Sequence, residues 1–67
     1  MKTREEFGQR IAGLRAERKM TQQELADAVG ITRVHLSRIE SGKYSAAVDM
    51  VAKLAEVLGA RLEIIED

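Results

Sequence analysis

The 67-residue chain contains no cysteine and no proline, and its only aromatic residues are Phe7 and Tyr44. Without cysteine there is neither a disulfide scaffold nor a thiolate zinc site. With no proline and no low-complexity stretch, nothing marks a linker, so one domain over residues 1–67 is expected. Two aromatics supply no stacking platform of the kind that single-stranded nucleic-acid binders use. No apolar run is long enough to span a bilayer or to serve as a signal peptide, which makes the cytoplasm the expected location and a membrane partner unexpected. Histidine is scarce as well. His35 is single, and with no cysteine or second histidine it is badly placed for metal ligation or base catalysis. No enzyme activity, cofactor or metal is therefore expected.

Net charge is also missing, since 11 Lys and Arg balance 11 Asp and Glu. Taken alone, that balance argues against DNA. Its distribution reverses the argument: residues 1–44 hold nine Lys and Arg against six Asp and Glu, while residues 45–67 hold two against five. The first part is thus basic and the second acidic, which suits a small phosphate footprint rather than strong non-specific binding. A chain this short supplies only about 3–5 kcal/mol from one core, so self-association is a natural supplement.

What is present centres on residues 21–42, TQQELADAVGITRVHLSRIESG. Counted from Gln22, a helix–turn–helix needs a small fifth residue where the helices cross, and Ala26 stands there. It needs a ninth residue tolerant of positive φ, and Gly30 stands there. Leu25, Val29, Ile31, Leu36 and Ile39 fill the apolar positions between the two helices. Thr21 with Glu24 forms a capping-box pattern, and Thr32 occupies the N-cap position of the second helix. Ahead of the motif, Thr3 with Glu6 repeats the capping box, predicting a helix over residues 4–18 with Phe7, Ile11 and Leu14 buried. Gly8 suits close helix packing; Gly13 has no evident reason. Arg15, Arg18 and Lys19 form a basic cluster that reads as a solvated helix end favoured by the dipole at least as well as it reads as a DNA contact.

With Leu36 and Ile39 buried, a helix over residues 32–41 turns Arg33, Val34, Ser37 and Arg38 outward. Arginine can bond guanine O6 and N7 together, and valine can meet a thymine methyl. His35 lies beside this face, with a surface or phosphate-contacting role. Gly42 is expected at the left-handed position that ends the helix. Ser45 is the expected cap of a fourth helix over residues 47–58, whose stripe is Val48, Val51, Leu54, Ala55 and Leu58, stopped by Gly59. The tail ARLEIIED alternates in a way that favours a strand over residues 60–66. A lone strand lacks partners for half its backbone groups, so pairing with a second copy through Leu62, Ile64 and Ile65 is expected; a frayed tail with Ile64 on the core is the alternative.

These residues resemble the Cro/CI-type (Xre) helix–turn–helix regulators. The likeness rests on Leu14 and Arg15, TQQELA at 21–26, VGIT at 29–32, LSRIESGK at 36–43, and Leu54, Ala55, Leu58 and Gly59. It implies an all-α, four-helix, lambda-repressor-like domain, here with the short C-terminal β-strand added. It also implies a pair between Arg15 and Glu40, and a Gln22 that braces the recognition helix and holds a phosphate. The loop after that helix, with Ser41, Lys43 and Tyr44, would touch phosphates alongside Thr32 and His35. Many family members carry a proline soon afterwards, where this chain has Ser45, Ala46 and Ala47. The function so implied is a sequence-specific, double-stranded DNA-binding transcriptional regulator. Repressor action is expected, as a homodimer on a palindromic operator in the nucleoid. The alternative is an antitoxin that binds a toxin protein and controls its own promoter.

Overall fold

Three of the helices begin at a threonine. In the computed structural model, which describes residues 3–62, α1 (Arg4–Glu17), α2 (Gln22–Val29) and α3 (Arg33–Glu40) follow Thr3, Thr21 and Thr32. Each threonine hydroxyl accepts a backbone N–H three residues on, from Glu6 at 3.2 Å, Glu24 at 3.0 Å and His35 at 3.1 Å. At the first two, the glutamate carboxylate accepts the threonine N–H in return, at 3.3 and 2.8 Å, so two otherwise orphaned donors are satisfied at each end. The fourth helix, α4 (Val48–Leu58), departs from expectation. Its cap is Ala47, with no side-chain hydrogen bond, rather than Ser45. Buried Ala46 draws the chain inward, and the Ala47 carbonyl takes the first helical bond from Val51.

All four helices close in the same way. A left-handed residue follows each, namely Lys19 (φ 55°), Gly30 (φ 80°), Gly42 (φ 80°) and Gly59 (φ 61°). The next N–H then reaches back to the last turn: Met20 to Arg15, Ile31 to Ala26, Lys43 to Arg38 and Ala60 to Ala55, at 2.9–3.1 Å. This pairing consumes helix-terminal carbonyls. Glycine supplies the positive φ three times, and among the described residues only Lys19 adopts it with a side chain.

The core joins Phe7, Ile11 and Leu14 of α1 to Leu25, Ala26 and Val29 of α2, Leu36 and Ile39 of α3, and Val51, Leu54 and Leu58 of α4. Ile31 packs against it partly buried. Helix α3 packs against both α1 and α2, and α4 touches the same two helices. Gly8 makes the α1–α3 contact possible, because a Cβ there would collide with the carbonyl oxygens of Ile39 and Glu40. Two expected core positions differ. Val48 is 63% exposed, since the helix starts there and its first turn overhangs the core, and Ala55 is only half-buried.

The expected C-terminal strand is not found. Among the described residues the fold is all-α with no β-strand, and Arg61 and Leu62 have no regular structure. Ala60 and Leu62 instead pack against their own core, and the described residues include no strand to offer backbone partners. The rest of the predicted strand, with Ile64 and Ile65, lies outside the described residues.

Candidate nucleic-acid interface

Glu40, the last residue of α3, is the point at which three elements are tied. Its carboxylate accepts Arg15 Nε at 2.8 Å and Arg15 Nη2 at 3.2 Å, a two-bond fork from α1. It also accepts Gln22 Nε2 from the start of α2 at 3.0 Å. Arg15 Nη1 meanwhile donates to the Met20 carbonyl at 2.8 Å, which fixes the α1–α2 turn. The pair is mostly sheltered, with the Arg15 side chain 20% and that of Glu40 7% exposed. Its hydrogen bond to Glu40 raises the Arg15 pKa, against the opposing cost of burial and with a smaller Coulomb contribution in the same direction. Each of the three Arg15 nitrogens and both Glu40 carboxylate oxygens has a partner, and no buried side-chain nitrogen or oxygen among the described residues is left without one, as a sheltered charge requires.

So anchored, α3 turns one face to solvent. Arg33, Val34 and Arg38 are exposed, Val34 by 51%, and Ser37 is half-buried beside them. This places the four residues expected to read bases on the face opposite Leu36 and Ile39. Thr32 stands exposed at the helix's entry, its oxygen occupied by the His35 N–H and its own hydrogen free to donate. At the exit, Ser41 donates its hydroxyl to the Arg38 carbonyl at 3.2 Å, while Lys43 and Tyr44 are exposed. Of the residues expected on phosphates, Thr32 thus lies at one end of α3 and Ser41, Lys43 and Tyr44 at the other. Gln22 reaches the site through Glu40. Leu62, expected at a subunit contact, is half-buried against its own core and keeps part of its surface open.

Some contacts of this face have no signature in the sequence. Tyr44 leans back over α3: Arg38 Nη1 donates to Tyr44 Oη at 2.7 Å, and the guanidinium carbon lies 5.2 Å from the ring centroid. The His35 ring meets the same tyrosine edge-on, at 6.1 Å between centroids and 75° between planes. Helical periodicity stops at Gly42, so no spacing rule links Arg38 to a residue beyond the turn. Arg18, from the basic cluster, donates to the Leu14 carbonyl at 3.2 Å, as the helix-end reading expects. Among the described residues, no group of three or more His, Cys, Asp or Glu is placed to hold a metal ion, and no helix is long and apolar enough to cross a membrane.

Comparison with known proteins identifies the family and the fold. The helix-turn-helix family matches residues 11–65. An HTH-type transcriptional regulator of Archaeoglobus fulgidus, itself uncharacterised, is 43% identical over 54 residues, covering 81% of this chain and 77% of that protein. The immunity repressor protein of Bacillus phage phi105 is 36% identical over 58 residues, 87% of this chain but 40% of the repressor. Among solved structures, the master regulator for biofilm formation SinR, in complex with DNA, superposes with a TM-score of 0.77 at 30% identity, covering 82% of this chain and 89% of that one.

Proposed function

We propose that this chain, which belongs to the helix-turn-helix family of Cro/CI (Xre) type, is a sequence-specific double-stranded DNA-binding regulator of transcription acting as a repressor. The observation that carries the reading is the exposed face of α3, held at both ends by capped and clamped backbone and flanked by donors suited to phosphate. Arg33, Val34, Ser37 and Arg38 read base edges in the major groove. Gln22, Thr32, His35, Ser41, Lys43 and Tyr44 contact the phosphates that set the register. Gln22 serves twice in this scheme, since the helix start that would meet a phosphate also ties to Glu40. The SinR–DNA structure and the phage repressor support the same assignment by similarity.

A helix of eight residues is about 12 Å long and meets only a few base pairs. Two copies on a palindromic operator supply the missing information. Leu62, Ile64 and Ile65 are the proposed meeting point of the two copies. The antitoxin alternative draws on the acidic second half of the chain and on a C-terminal strand that the described residues do not contain, whereas the relatives carry the names of regulators and repressors. DNA-dependent regulation is therefore the reading adopted.

Repeated selection of bound duplexes from a random pool tests it. A single enriched motif with two-fold symmetry is the expected result; a bound pool that stays random would remove the claim of sequence recognition.

A further inference from the structure

The contact between Tyr44 and Arg38 crosses the end of the recognition helix, and its construction is specific. Gly42, at φ 80°, turns the chain so that the N–H groups of Lys43 and Tyr44 both donate to the Arg38 carbonyl, at 2.9 and 3.3 Å. The backbone of residue 44 is thereby tied to residue 38, and the two side chains leave on the same flank of α3. There, Arg38 Nη1 bonds the phenol oxygen at 2.7 Å, and the guanidinium carbon stands 5.2 Å from the ring centroid. His35, one turn earlier on α3, meets the tyrosine ring edge-on. No carboxylate is needed to hold the arginine.

We propose that Tyr44 is a positioning residue for Arg38, setting the edge of the guanidinium that is offered to a base. The inference rests on the DNA-reading assignment above. A free arginine samples many rotamers, and ordering it at an interface costs affinity. Here one nitrogen is occupied by a neutral oxygen, so the positive charge is retained while the Nε and Nη2 hydrogens stay available. Those two hydrogens form one of the edges with which a guanidinium bonds guanine O6 and N7 in pairs. The phenol accepts from Arg38, which leaves its own hydrogen to donate to a phosphate. Tyr44 would then couple backbone contact to base choice: the phosphate fixes the ring, and the ring fixes the arginine.

The test uses the full chain, with fluorescence anisotropy titrations on three duplexes: the selected site, the same site altered at the base pair read by Arg38, and a scrambled sequence. Variants are Tyr44→Phe, Arg38→Ala and the double substitution; position 44 is exposed, and circular dichroism checks that the fold is unchanged. Removing the phenol oxygen should reduce discrimination between the selected and altered sites about two- to tenfold, the value of one hydrogen bond. The same change should have no effect on discrimination once Arg38 is alanine. Equal losses on all three duplexes would overturn the proposal by reducing Tyr44 to a phosphate contact, as would discrimination that Tyr44→Phe leaves intact. A wild-type protein that prefers none of the duplexes would instead overturn the DNA-reading assignment, and this inference with it.

Discussion

Gly13 and Gly8 lie on the same helix and have opposite reasons. At Gly8 a methyl group would strike the carbonyls that end α3, so even alanine should disrupt the α1–α3 contact. At Gly13 a Cβ would meet nothing within 4 Å. Glycine there only adds flexibility to the unfolded chain, and Gly13→Ala is expected to stabilise the protein by about 0.5–1 kcal/mol, read as a rise in the urea midpoint with an unchanged slope. On the exposed face, the division between reading and positioning is also decided by single residues. Arg38→Ala should cost about 1–3 kcal/mol on the preferred site and little on random duplex. Lys43→Ala should weaken both alike and flatten the salt dependence. If Arg38→Ala lost equally on both, that arginine would belong with the phosphates.

At the scale of elements, the question is what holds α3 at a fixed angle. Its apolar side is packed between α1 and α2, and its C-terminal end is tied to both by the fork from Arg15 and the amide of Gln22 on Glu40. Glu40→Ala leaves a largely sheltered guanidinium with only the Met20 carbonyl as partner, and is expected to lower stability by about 1–3 kcal/mol. That is a large share of what a core of this size supplies. Replacing Arg15 as well should cost less than the sum of the two single changes, and chemical denaturation of the four proteins in the cycle measures the difference. Strict additivity would mean that the two side chains lie side by side without energetic coupling.

For the whole molecule, size decides. The Cα trace measures 27 × 22 × 19 Å, shorter than the separation of about 34–36 Å between half-sites one turn apart on duplex DNA. One copy cannot occupy both halves. A palindrome with centres about 10 base pairs apart should therefore bind two chains cooperatively, while insertion of about five base pairs turns the halves to opposite faces and should abolish the cooperativity. Sedimentation or native mass measurement gives the stoichiometry. Independent binding at both spacings would mean that each copy acts alone.

Most of the fold is legible in the sequence because its signals are local. Thr3, Thr21 and Thr32 each satisfy a helix start within three residues, Gly30, Gly42 and Gly59 each end a helix within one turn, and the apolar stripes repeat at 3.6 residues. The outward face of α3, with Arg33, Val34 and Arg38 exposed and Ser37 half-buried, follows from the same period once Leu36 and Ile39 are inward. The pairing of Arg15 with Glu40 came from family resemblance, and its geometry only from the packing of α1 on α3. Where the local rules failed, a competing long-range contact was the cause. The alternation in the tail describes equally a strand and a segment laid on a core. Leu62 settles on its own domain because that surface is present within the same chain, whereas a sheet needs a second edge. Ser45 had the chemistry of a cap, yet buried Ala46 moved the helix start past it. Tyr44 reaches Arg38 across a glycine turn, where periodicity carries no information. Caps, periods and turns are encoded over a few residues and belong to the sequence itself. Which surfaces meet across 25 positions, or across a reversal of the chain, is decided only when tertiary packing brings them together.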